Sequence, residues 1–280
     1  MKENGIKADE GFFFGIGLFE TMAVRHGQAM LQDLHVQRLA EGLRDLQIDN
    51  RIWRARRENR SGREEGMEAW LSDVIDDFLA GLTDGPVREH GVLKLTVTAE
   101  NLLFTTRENP YTERQYREGL RLCFSPVLRN ETSPFTYYKT LNGGDNHLVH
   151  RRARRMGYDE AVFVNTRGEI CEGSVSNVFF TRGDQVVTPP VRCGLLPGTV
   201  RRYLLAAGKN RTANACGGAY PVCREQVVRA DDLQHFTGMF VTNALMGIMP
   251  VRSLGDYRFP DRQAAERLRA QYLRDIGQGR

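Results

Sequence analysis

A few short stretches of this 280-residue chain carry residue types that could do chemistry together. One is Ser133-Pro134-Phe135-Thr136-Tyr137-Tyr138-Lys139-Thr140-Leu141-Asn142, a lysine behind two tyrosines in a chain where only five of 39 basic residues are lysine. An uncharged lysine amine adds to carbonyls or takes protons, and loss of water is the usual way to discharge it. Another is Gly168-Glu169-Ile170-Cys171-Glu172-Gly173-Ser174-Val175-Ser176-Asn177, where Glu172 falls between two strand-like runs and could stabilise a nearby positive charge. In Leu195-Leu196-Pro197-Gly198-Thr199-Val200-Arg201 a turn opens a helix, whose first N–H groups attract anions while Gly198 allows close approach. His35 and Arg38 lie three apart on one helix face. Lys94 stands on the polar face of an alternating strand. Taken singly, each also has an ordinary reading: a loop lysine, a turn glutamate, a proline–glycine turn, a packed histidine, a solvated strand face.

In this order and at this spacing, the segments resemble the fold-type-IV pyridoxal-phosphate enzymes, from about Phe12 to Val251. That family includes branched-chain and D-amino-acid aminotransferases and aminodeoxychorismate lyase. The resemblance implies an α/β chain of α+β type in two domains, with pyridoxal 5'-phosphate in the cleft between them. It implies Lys139 as the Schiff-base lysine and catalytic base, and Glu172 as the partner of the pyridine nitrogen. It places Arg38, Gly198, Thr199, Val200, Asn243 and Ala244 at the cofactor, mostly around its phosphate. His35 is expected to be structural. Tyr-Lys-Thr-Leu-Asn and Asn243-Ala244-Leu245-Met246-Gly247-Ile248-Met249-Pro250-Val251 are most similar to the lyases. Gly144 stands where branched-chain enzymes carry tyrosine, and Ile16 where many members carry aspartate. Lys94 matches a lyase lysine expected to meet a substrate carboxylate, where branched-chain enzymes place arginine. The resemblance therefore implies an aminodeoxychorismate lyase that makes 4-aminobenzoate and pyruvate. The alternative within the family is an aminotransferase for branched-chain or D-amino acids. The family is generally dimeric, so a homodimer acting on a small-molecule substrate is expected.

The elements that must position these residues follow from periodicity. A strand over 18–25 turns at His26-Gly27-Gln28 into 29–31, and Asp33 is expected to cap a helix with Val36, Leu39, Ala40, Leu43 and Leu46 on one face. Residues 51–66, almost wholly charged or small, read as a solvated loop. An amphipathic helix from Met67 to Leu79 and a strand over 92–98 follow. The polar, proline-containing stretch 107–112 suggests domains over 1–107 and 114–280, joined by a linker at 108–113. Beyond it come a strand near 120–124 and a helix over 146–156 closed by Gly157. Hairpins turning at 165–168 and 182–184 lead to a helix over 199–207 ending at Gly208, a strand near 240–243 and a C-terminal helix.

Composition sets the outer bounds. With 41% hydrophobic and 26% charged residues, the chain reads as an ordinary globular protein. Its longest apolar runs are too short to span a bilayer, so no membrane partner is expected. Met1-Lys2-Glu3-Asn4-Gly5 carries charge and no apolar run, and the five cysteines form no CxxC pair. Neither a secretory signal nor a disulfide framework or metal site is expected, and a cytoplasmic location fits. Arg151-Arg152-Ala153-Arg154-Arg155 could suggest a nucleic-acid binder, but no recognised motif accompanies it, and a solvated helix face is the expectation.

Overall fold

The alternation that begins at Leu18 becomes a strand whose Leu18, Met22 and Val24 are buried on one face. The computed structural model describes residues 5–58, 66–209 and 221–277. Two units are distinguished: Met1–Pro110 with Tyr138–Gly143, and Tyr111–Tyr137 with Gly144–Arg280.

In the first unit, α1 (Glu10–Phe14) leads to β1 (Leu18–Arg25), β2 (Gln28–Ala29), α2 (Gln32–Asp45), α3 (Arg51–Glu58), α4 (Met67–Ala80), α5 (Pro86–His90), β3 (Gly91–Val97) and β4 (Leu102–Glu108). The strands form an antiparallel sheet in the order β2-β1-β3-β4. Val36, Leu39 and Leu43 of α2, with Trp70, Leu71 and Ile75 of α4, share one core with Leu18, Met22, Leu93 and Leu95. Each such side chain contributes roughly 1.5–3 kcal/mol when fully buried.

Two local expectations need correction, and the ends of the expected linker at 108–113 are taken up by regular elements. Residues 51–58 are helix, not loop: Asn50 Oδ1 accepts the Ile52 and Trp53 N–H groups, and Trp53 packs on Trp70 at 5.3 Å between ring centroids. One buried tryptophan anchors a helix that is otherwise charged, and residues 59–65 lie outside the described residues. The cap of α2 is Leu31, with no side-chain bond; Asp33 sits inside the first turn, where its charge suits the helix dipole. Arg107 and Glu108 still belong to β4, opposite Val92 and Gly91, and Glu113 already begins a helix. The sequence conceals β4 because its last four residues are exposed and show no apolar alternation.

The Lys139 segment groups with the first unit. Phe19 N–H donates to the Lys139 carbonyl and Leu141 N–H to the Gly17 carbonyl, both at 2.9 Å, and Leu18 bridges Thr140. Lys139 is thereby fixed beside the start of β1.

The second unit runs α6 (Glu113–Glu118), β5 (Leu120–Phe124), α7 (Gly144–Arg155), β6 (Glu160–Val164), β7 (Ile170–Gly173), β8 (Asn177–Arg182), β9 (Gln185–Thr188), α8 (Thr199–Lys209), β10 (Val222–Glu225), β11 (Gly238–Asn243), β12 (Gly247–Leu254), β13 (Tyr257–Arg258) and α9 (Gln263–Gly277). Its sheet has the order β10-β9-β8-β11-β12-β5-β6-β7, with β13 on β12. Parallel pairs (β5 with β6 and β12, β9 with β10) mix with antiparallel ones, so the architecture is α+β. Val178, Phe180, Val241, Met249 and Phe259 lie in its core. The hairpins expected at 165–168 and 182–184 join β6 to β7 and β8 to β9. The helix over 199–207 runs on through Gly208 to Lys209. Among the described residues, no helix is long and apolar enough to cross a membrane.

Candidate active site

Within the first unit, one aromatic ring gathers two amines. Lys139 Nζ lies 4.6 Å and Lys94 Nζ 4.5 Å from the Phe19 ring centroid. The register explains this: Lys94 pairs with Thr21 and Thr96 with Phe19, so these side chains share the sheet face opposite the core. All three of Phe19, Lys94 and Lys139 are half-buried. A protonated amine over such a ring gains about 0.5–2 kcal/mol from its negative face.

On the core face of β1, Glu20 is 1% exposed and receives Arg38 Nε at 2.7 Å and a second Arg38 nitrogen at 2.6 Å. His35 Nδ1 completes the cluster, 2.6 Å from Glu20. Burial pushes the Glu20 carboxyl up, but Arg38 and His35 together outweigh it and hold it well below the usual carboxylate range. Burial also keeps His35 below its ordinary imidazole value, although Glu20 pulls the other way. Arg38 is thus a buried guanidinium with a fixed plane, and His35 packs against the same carboxylate. A charged residue on the apolar face of an alternating strand is the one sequence signal that points to Glu20.

In the second unit, Glu172 is 6% exposed on β7 and bound on both oxygens. Arg129 donates to Oε1 at 3.0 Å, and the Leu196 N–H donates to Oε2 at 3.0 Å. The Arg129 guanidinium lies 3.9 Å from the Phe163 ring centroid and also donates to Asn146 Oδ1, whose amide nitrogen holds the Ser174 carbonyl. Nothing periodic marks Arg129 in the sequence; it reaches Glu172 across 43 residues.

The Leu-Pro-Gly-Thr-Val-Arg stretch opens α8 at Thr199, as expected. Thr199, Val200 and Arg201 are buried, and Arg201 pairs with Glu225 at 2.5 Å, so Val200 can offer an anion only its backbone N–H. Asn243 ends β11; its Oδ1 accepts the Leu245 and Met246 N–H groups at 2.9 Å, and its amide donates to Tyr111 Oη and the Val175 carbonyl at 3.1 Å. Ala244 lies in the turn so formed. Thr242, missed in the sequence, pairs with Asn177 across β11 and β8, so their side chains share a sheet face. Asn177 bonds the Leu196 carbonyl on that face, and Thr242 Oγ1 is buried there with no hydrogen-bond partner among the described residues. A buried hydroxyl left so, beside a helix N-terminus, suits a ligand that brings oxygen acceptors.

Glu160 supports the same loop. It is 2% exposed, accepts the Val175 N–H at 2.6 Å and the Ser176 hydroxyl at 2.9 Å, and crowds Gly173 so that no Cβ fits there. Burial, with Glu172 adding to it, raises its carboxyl to about 7 against the lowering pull of those donors. The folded chain therefore keeps a proton that the unfolded chain loses near pH 4.5. Stability contributed by Glu160 is present below that pH and is lost as pH rises to about 7. Glu160→Gln should remove this loss, gaining on the order of 3 kcal/mol over wild type at pH 8 relative to pH 4.5. Urea unfolding at the two pH values measures it, and parallel pH profiles for both proteins would contradict it.

The first unit carries a lysine on an aromatic face and the second a buried glutamate beside a helix N-terminus, and the α+β fold is that of fold-type-IV pyridoxal-phosphate-dependent enzymes. The family described as amino-transferase class IV matches residues 17–254, and the chain belongs to it. Members of that family are enzymes that depend on pyridoxal phosphate. Aminodeoxychorismate lyase of Bacillus subtilis (strain 168) is 26% identical over 289 residues, covering 96% of this chain and 88% of that protein. A bifunctional aminodeoxychorismate lyase / D-amino acid transaminase of Mycobacterium tuberculosis is 27% identical, covering 90% and 86%. The crystal structure of 4-amino-4-deoxychorismate lyase from Pseudomonas aeruginosa matches with a TM-score of 0.77 at 26% identity, covering 97% of this chain and 96% of that one.

Proposed function

We propose that this chain is an aminodeoxychorismate lyase, converting 4-amino-4-deoxychorismate to 4-aminobenzoate and pyruvate for folate synthesis, as a cytoplasmic homodimer. The observation that carries the proposal is Lys94 standing over the Phe19 ring with Lys139, on the face of its sheet opposite the core. Two relatives matched over most of their length bear the lyase name, which supports the same choice.

The described residues fit the cofactor: an orphaned buried hydroxyl at Thr242, a helix N-terminus at Thr199, a carboxylate fixed at Glu172 and a lysine over Phe19. Bound pyridoxal phosphate supplies an aldehyde for an amine and a ring that takes up electrons. In this reading Lys139 would be the residue that holds the aldehyde. Lys139 Nζ then takes the proton from the substrate carbon that bears nitrogen. Glu172, oriented by Arg129 and Leu196, keeps the ring nitrogen protonated by standing as its counter-charge. Gly198, Thr199, Val200, Asn243, Ala244 and Thr242 would hold the phosphate, and Arg38, whose plane Glu20 sets, is the further cation proposed for it. Lys94 meets a carboxylate of the dianionic substrate, a charge-assisted contact. Pyruvate leaves as the carbon ring becomes aromatic, and no 2-oxo acid acceptor is consumed.

The assay supplies aminodeoxychorismate alone and follows 4-aminobenzoate, then supplies amino acids with 2-oxoglutarate. The first mixture should turn over, and Lys94→Ala should raise KM about tenfold with a smaller change in kcat. Turnover of the second mixture alone would favour an aminotransferase for D- or branched-chain amino acids. The bifunctional relative makes turnover of both a specific second reading.

A further inference from the structure

Glu172 and Asn177 are the first and last residues of Glu-Gly-Ser-Val-Ser-Asn, and both grip one residue outside it. Leu196 gives its N–H to Glu172 Oε2 at 3.0 Å, and its carbonyl accepts Asn177 Nδ2 at 2.9 Å. Asn177 Oδ1 backs onto Gly198 so closely that a Cβ there would overlap it. Glu172 and Asn177 are 6% and 5% exposed, so neither bond is readily replaced by water. Leu196 stands three residues before α8, whose first turn is the proposed anion cradle.

From these contacts we infer that Asn177 is a positioning residue that joins the carboxylate of Glu172 and the cradle at α8 into one rigid piece through Leu196. The inference rests on the proposed roles of Glu172 and of the α8 N-terminus. Its physical sense is simple. An aromatic ring holds its nitrogen and its phosphate-bearing carbon at a fixed separation. A site that binds both ends well must fix its own two poles equally, and a shared residue does so. Loss of the Asn177 amide frees the Leu196 peptide, and with it both the cradle and one anchor of Glu172.

The two poles can be probed separately on the full-length chain: pyridoxal, which lacks phosphate, reads the ring pole, and inorganic phosphate reads the cradle. Asn177→Ala should weaken both ligands about tenfold, the size expected for losing one buried hydrogen bond. Asn177→Asp keeps the shape but removes the donor, and should weaken both to a similar extent; it carries the test if the alanine variant does not melt cooperatively. Weakening of phosphate alone would mean that Asn177 serves only the cradle, and the link would be overturned. Wild-type affinity in Asn177→Asp would overturn it too, because the donor would not be the connection. If the wild-type chain bound neither probe, the assignment of the two poles would itself fail, and the link with it.

Discussion

Lys139→Ala should abolish covalent capture of pyridoxal phosphate and all turnover while leaving the fold in place. The fold survives because the segment is tied to β1 through backbone groups, the Lys139 carbonyl and the Leu141 N–H, which alanine retains. The side chain is half-buried, and its contact with the Phe19 ring is worth about 0.5–2 kcal/mol. Chemistry has no such reserve, since in the proposed reading one amine both carries the aldehyde and takes the proton. Lys94 makes the experiment sharp, because its Nζ stands at nearly the same distance from the same ring. Borohydride reduction of the holoenzyme followed by peptide mapping decides between them. A label on Lys94 would overturn the assignment of Lys139.

Glu172→Ala should lower turnover on the order of 10²-fold or more while covalent capture of pyridoxal phosphate persists, because a positioned counter-charge is removed from the ring nitrogen. It should also cost stability. Arg129 is nearly buried over Phe163, and taking away its carboxylate leaves an uncompensated cation, a loss of roughly 3–5 kcal/mol. Glu172→Gln separates the two effects: an amide oxygen can still accept from Leu196 or Arg129, yet it carries no charge for the ring. Glutamine also leaves Arg129 without a counter-charge, so the expected pattern is comparable loss of turnover in both variants and a lowered melting temperature in both, less in the glutamine variant because one oxygen acceptor remains. Turnover within about twofold of wild type in Glu172→Gln would show that the carboxylate does not serve the ring.

Much of the molecule is written locally. The strands from Leu18, Leu120 and Ala161 show themselves through runs of apolar residues, and α2 and α4 through apolar residues at helical spacing. Such signals are readable because each residue's face is set by its place in a repeat of two or 3.6 residues. Lys139, Glu172 and the turn before α8 stand out because scarce or conformationally special residues sit beside those repeats. Where burial lacks a repeat, the sequence misleads: α3 buries Trp53 and no other residue, and β4 is an edge strand with an exposed end. What holds the functional groups was decided by the tertiary structure. Glu20 reaches Arg38 across 18 residues, Arg129 reaches Glu172 across 43, and Asn177 reaches Leu196 across 19. A buried charge or amide is tolerated only when its partner is present. That partner is chosen by where the chain returns in space, and a contact between distant segments leaves no period in the sequence to be read.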